Sequence, residues 1–327
     1  MGLSASGCAE QPPPATPTAP TNHQRFAHTS LLDYAPAAGL RWLVVGRPNR
    51  LSADPDLAAA TGLVFAPERL DAFAEITGIR LERLPMGVIA GYDLGTLYLA
   101  EIEGFEAPIV RARFSARLVE GGIAHERPGL HRIVGTTTSG GVRALVTVDD
   151  RSVAFASGDA ALARVVEAYA RKQLRSPTAL RGAALSLLPP LSEDTLAAFL
   201  APGPFSSEWG GAAGGILAAA LAVSIEARMA AHGRLHATLT LAGAWGVDAT
   251  DAVQKLELAW SELQKSPTGH LLGLDQASGQ TASGNLQHLT LSADLPVGPL
   301  ARGLRHATSA DVREILELDG GSAGSPP

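Results

Sequence analysis

The chain has 327 residues, of which 46% are hydrophobic and 18% charged, with a formal net charge of −6 at pH 7. That balance belongs to a folded protein and excludes general disorder, and the length is comfortable for two cores. A net negative charge excludes a general nucleic-acid binder, whose phosphate contacts need a basic surface. The single cysteine, Cys8, excludes an internal disulfide.

Cys8 ends the small-residue run Leu3-Ser4-Ala5-Ser6-Gly7. From Cys8 to about Ser30 the chain reads as a tether, because the run from Gln11 to Pro20 lacks apolar periodicity and its prolines favour extended polyproline II. Such a segment holds a domain away from a surface; a tail without an anchoring role has the same composition. Within residues 1–30 the segment after Cys8 is read as a tether, and the lipobox resemblance described next implies a signal remnant and a lipidation site before it.

Ala5-Ser6-Gly7-Cys8 resembles the lipobox of bacterial lipoproteins, with Ala5 where the family usually carries leucine. The resemblance implies that Cys8 is the acylated first residue of the mature protein, carrying palmitate or a similar chain. It also implies a place in the cell envelope, lipid-anchored on the periplasmic face. Ala9 and Glu10 follow without an aspartate, which implies the outer rather than the inner membrane. A full signal needs an apolar stretch of roughly 7–15 residues behind a basic start, so the signal is expected to be truncated. Met1 to Ser6 also fits the N-myristoylation pattern, which stays open as an alternative. Only Lys172, Lys255 and Lys265 among the 26 basic residues are lysines, a usage that suggests a GC-rich bacterial coding sequence.

Further along, Leu63 to Phe73 reads as an apolar strand, a proline and a short helix ending in an aromatic, and Ser186 to Phe199 reads the same way. Ile109 to Leu118 alternates: Arg111, Arg113 and Arg117 fall on one strand face, and Val110, Ala112, Phe114, Ala116 and Leu118 on the other. Three guanidinium groups in a row suit an anionic envelope component. The preceding strand, Thr96 to Glu103, offers Glu101 and Glu103 as cross-strand partners, which makes an ordinary charge ladder the competing reading.

Val142 to Val148 and Ser152 to Ala156 form a hairpin turning at Asp149-Asp150. A helix follows, capped by Ser157 or Asp159, with Leu162, Val165, Val166 and Tyr169 as its stripe. Gly210 to Ile225 is uncharged but shorter than the roughly 20 residues of a membrane span. Its second part alternates as a strand, and a hairpin is predicted from about Ala222 to Ala242 with His236, Thr238 and Thr240 on its polar face. A helix capped by Asp248 or Thr250 comes next, with Val253, Leu256, Trp260 and Leu263 on one face and Pro267 just past its end. The fold class is α+β, antiparallel sheets with packed helices. The repeated patterns suggest an internal duplication with halves 31–175 and 176–318, chance resemblance being the alternative; residues 319–327 read as a tail.

No catalytic constellation emerges, and the catalytic residues are unknown from sequence. There is no G-x-S-x-G serine elbow, no phosphate loop and no H-E-x-x-H. His125, Glu126 and His131 surround a Pro128-Gly129 turn and fall short of the three or four convergent ligands of a zinc site, so no metal and no cofactor is assigned. The favoured class is a non-enzymatic binding, scaffolding or assembly lipoprotein. Its partners are the membrane, through lipid on Cys8, and another envelope protein or an anionic envelope component. The alternative is an envelope hydrolase whose site is assembled from residues distant in sequence.

Overall fold

A computed structural model describes residues 30–305 apart from 103, 105, 150, 206–214 and 232. Cys8 and its tether lie outside the described residues, as does the tail. Twelve strands form one antiparallel sheet: β1 (Leu40–Gly46), β2 (Met86–Tyr92), β3 (Gly95–Glu101), β4 (Ile123–Arg127), β5 (Leu130–Thr136), β6 (Val142–Val148), β7 (Ser152–Gly158), β8 (Ala197–Pro202), β9 (Ala220–Ala230), β10 (Arg234–Gly243), β11 (Ser278–Gly284) and β12 (His288–Pro296). Their order across the sheet is β11-β12-β10-β9-β8-β1-β2-β3-β7-β6-β5-β4. With helices packed on both faces, the fold is α+β.

The helices begin where the sequence supplies a start. α1 (Pro48–Ala53), α2 (Pro55–Val64) and α3 (Pro67–Thr77) each carry proline at the first position, where its missing N–H costs nothing. Asp54 accepts from the amides of Asp56 and Leu57 at 3.0 and 3.1 Å to cap α2, and α3 stops at Gly78, whose φ of 79° is the left-handed conformation glycine adopts without penalty. α5 (Ala161–Ala170) is held by Asp159, whose carboxylate accepts from the Ala161 amide at 2.7 Å, and buries Leu162, Val166 and Tyr169. α6 (Ala249–Lys265) buries Ala252 and Leu256, with Val253 and Trp260 packed beside them. α5 follows its predicted stripe, and α6 follows its own through Val253, Leu256 and Trp260 but leaves Leu263 exposed. Pro267 then opens a separate short helix, α7 (Pro267–Leu271).

The hairpin predicted at 222–242 is β9–β10, paired from Ala222↔Ala242 to Ala230↔Arg234, and the hairpin at 142–156 is β6–β7. Two other expectations are overturned. Residues Ala107–Ser115 form α4, not a strand. Pro108 starts it, and Ala107, Val110 and Phe114 make a buried stripe at helical spacing that overrides the alternation. The proposed likeness between 63–73 and 186–199 also fails: Leu63 and Val64 end α2, whereas Ala197–Pro202 is strand β8.

The two ends of the sheet nonetheless repeat one connectivity. From the centre outward, β1-β2-β3-β7-β6 matches β8-β9-β10-β12-β11, with α4 and α6 in equivalent crossovers and α5 equivalent to a helix over 297–305. The equivalences differ from those the sequence suggested, since β9–β10 corresponds to β2–β3 rather than to β6–β7. β4–β5 extends the first half only. The halves meet where β1 pairs β8, Leu43 opposite Leu200 and Val45 opposite Ala198, and one core runs from Leu31 to Ala242 across that seam.

Candidate functional site

Between the halves, residues 178–196 cross the sheet as a strap. Backbone bonds pin its two ends: Ala179 donates to Ala35 at 2.7 Å, Arg47 to Leu196 at 2.9 Å, and Leu196 to Ala227 at 2.9 Å. Its middle has no strand partner. Two short 3-10 turns, Ala179–Arg181 and Leu185–Leu187, carry Leu185 and Leu188 into the core. Beneath a strap built of leucine and proline, Val45, Met86 and Leu200 leave space between it and the sheet.

That space is a cleft of about 600 Å³, within the range of pockets that take small molecules. Val45, Met86 and Leu200 form its floor, Leu32 one end, and Leu185, Leu188, Pro189, Pro190 and Leu191 its roof. The polar lining is Arg47, Arg181, Ser186, Ser192 and Thr195, with no carboxylate, histidine or cysteine. Arg47 follows β1 on the same face as Val45 and is partly buried. Its guanidinium makes no hydrogen bond or ion pair with a described residue. Arg181 is exposed and lies 3.9 Å from Asp33. The hydroxyl of Thr195 donates to Glu226 at 3.2 Å and is thereby occupied. At the strap's end, the Ser192 hydroxyl donates to Asp194 and, with Arg228 at 3.9 Å, holds that carboxyl below its ordinary value.

The sequence-derived candidates do not converge here. Arg113 of α4 donates to the carbonyls of Ala74, at 2.7 Å, and Glu75, so it closes the C-terminal end of α3, adding to the bond that the Gly78 amide gives Ala74 at 2.8 Å. Arg111 reaches the Thr147 hydroxyl at 3.4 Å. Arg117 lies beyond the end of α4. The expected row on one strand face therefore does not exist, and Glu101 pairs with Met86 and Ser152 across β2 and β7 instead of facing these arginines.

His125 and Glu126 lie on the exposed edge strand β4, and His131 on β5 approaches Glu126 at 3.6 Å. His270 sits 3.3 Å from Asp275. His236 contacts Asp294 at 2.8 Å on the polar sheet face, beside Thr238 and Ser292 at 3.3 Å from each other. His288 contacts the carbonyl of Leu187 at 2.7 Å and so ties β12 to the strap. Among the described residues no group of three histidine, cysteine, aspartate or glutamate side chains is placed to hold a metal ion, and no helix is long and apolar enough to cross a membrane. Sequence reasoning missed the cleft. The one signal for it was Leu185-Ser186-Leu187-Leu188-Pro189-Pro190-Leu191, an apolar run with neither period 2 nor period 3.6.

No family model and no curated protein matches the chain. Among the solved structures similar to it are "Structure of crystal form I of TP0453", with a TM-score of 0.49, 9% identity and coverage of 86% of this chain and 98% of that one, and "Structure of crystal form IV of TP0453", with 0.43, 10%, 83% and 94%. A likeness of that degree says nothing of what the chain binds, which has to be read from the cleft.

Proposed function

We propose that the chain is a non-enzymatic binding protein of the bacterial cell envelope, anchored through lipid on Cys8, that holds a ligand with a hydrocarbon body beneath the strap. The observation that carries the reading is the lining of the cleft: mostly leucines and prolines with a methionine and a valine, two arginines and three hydroxyls, and no carboxylate, histidine or thiol. Hydrolysis needs a nucleophile or activated water beside a base; the serine and threonine hydroxyls here have no histidine or lysine next to them in the lining. Burial of hydrocarbon needs only apolar surface withdrawn from water.

The anchor and the cleft have separate tests. Expression with the natural upstream sequence, followed by fractionation and mass spectrometry, is expected to give an acylated, membrane-associated wild type and an unmodified Cys8→Ser variant; a wild type without acyl mass removes the anchor. For the cleft, a neutral fluorescent probe such as N-phenylnaphthylamine is expected to bind once per chain with a blue-shifted emission. A chain that leaves the probe's emission unchanged removes the binding role.

A further inference from the structure

Arg47 is a cation in a largely apolar wall. Its backbone is fixed at the mouth of the cleft, because its amide donates to Leu196 and its own carbonyl accepts from the first turn of α1, from Arg50 at 3.0 Å and Leu51 at 3.2 Å. Its side chain leaves β1 on the floor side, two residues beyond Val45. The guanidinium has no acceptor among the described residues, and an anion in the cleft would supply one. A second guanidinium, Arg181, comes to the same cleft from the strap. Its approach to Asp33, at 3.9 Å with the arginine 77% exposed, is of a kind worth little in water and is readily exchanged for another acceptor. The lining thus pairs an extended hydrocarbon surface with two cations and no anion.

We infer that the occupant of the cleft is an anionic amphiphile, its hydrocarbon chain lying between the sheet floor and Leu185, Leu188 and Leu191, and its carboxylate or phosphate held by Arg47 with Arg181 as second partner. This rests on the reading of the cleft as a binding site. It adds that the ligand is charged, that one end of it is specified, and that Arg47 is the residue specifying it. Guanidinium forks match both carboxylate and phosphate oxygens, so the two head groups share one chemistry.

Displacement of N-phenylnaphthylamine from the full chain tests it, with dodecanoate, dodecyl phosphate, dodecanol and inorganic phosphate as competitors. A charge-assisted bond predicts that the two anionic amphiphiles displace the probe at roughly tenfold lower concentration than the alcohol. Inorganic phosphate alone is expected to displace nothing. Arg47→Met is expected to abolish the preference while leaving probe affinity intact, Arg47→Lys to keep most of it, and Arg181→Met to reduce it in part. Equal displacement by acid and alcohol, or an Arg47→Met chain that still prefers the acid, overturns the inference and leaves the apolar site standing. If Arg47→Met does not bind the probe, the competitor series on the wild type and Arg181→Met decides. A wild type that never binds the probe overturns the site and the inference together.

Discussion

The amide of Arg47 donates to the carbonyl of Leu196 at 2.9 Å, joining the last turn of the first central strand to the last residue of the strap. The bond closes one wall of the cleft at the place where the two halves of the sheet meet. The proposed site is therefore a product of the seam: the first half supplies Val45 and Met86 of the floor, and the second supplies Leu200 beside them and the roof of Leu188 and Leu191.

Filling the cleft should abolish binding without unfolding the chain. Leu191 is partly buried on the roof, at a point where added volume meets open space. Leu191→Trp is expected to weaken N-phenylnaphthylamine binding at least tenfold and to change stability by less than about 1 kcal/mol, below the usual cost of overpacking a closed core. Fluorescence titration and a thermal melt on one preparation check both statements; undiminished probe binding would place the probe elsewhere.

The seam should also govern stability. Leu43 is fully buried and faces Leu200, itself 2% exposed, across β1 and β8. Leu43→Ala is expected to cost about 2–5 kcal/mol through lost transfer energy and a residual cavity. Because one core crosses both halves, urea unfolding followed by tryptophan fluorescence and by circular dichroism should shift together as a single transition. Separate transitions in the variant would show that the halves unfold independently.

Ser224 is 1% exposed, and its hydroxyl has no hydrogen-bond partner among the described residues. A buried hydroxyl left unpaired costs free energy that an apolar group of similar size does not. Ser224→Ala is expected to stabilise the fold by about 1 kcal/mol, read as a raised melting temperature. A fall instead would reveal a partner, such as a buried water, that the side chain depends on.

Alkaline pH should destabilise the fold through Tyr92. Burial, and secondarily the neighbouring Tyr169, pushes its phenol above the ordinary value of 10.0, while its hydroxyl donates to the carbonyl of Pro36 at 3.0 Å. Burial raises Tyr169 as well. Above pH 10 the unfolded chain loses phenolic protons that the folded chain keeps, so it binds fewer protons and stability falls as pH rises; below pH 10 this contribution is fully present. Denaturant midpoints measured from pH 8 to 11 should hold steady until about pH 10 and decline above it, and Tyr92→Phe should flatten that decline. An unchanged slope in Tyr92→Phe would assign the effect to other groups.

The elements that were legible in sequence are those with a sustained period and a chemical boundary. β9–β10 alternates over nine residue pairs in register, and α5 and α6 carry repeated apolar stripes, α5 opening at a capping aspartate and α6 ending just before Pro267. Ile109 to Leu118 was misread because its apolar positions satisfy both periods; burial of Val110 and Phe114 against the α3 side of the sheet decided for the helix. The repeat suggested by Leu63 to Phe73 and Ser186 to Phe199 was likewise a likeness of composition. The repeat that exists is one of connectivity, which leaves no mark on a residue-by-residue comparison.

What the sequence determined by itself was the class of fold, the local hairpins and helices, and the exclusion of a recognisable catalytic motif, because these depend on neighbours within a few residues of one another. The cleft was decided by the tertiary structure alone. Leu32, Val45, Met86, Leu188 and Leu200 meet only when β1 pairs β8 and the strap closes over them, and apolar residues gathered from such distances share no period in the chain. Arg47 looks like any exposed arginine until the strand before it sets it, without an acceptor of its own, in a largely apolar wall.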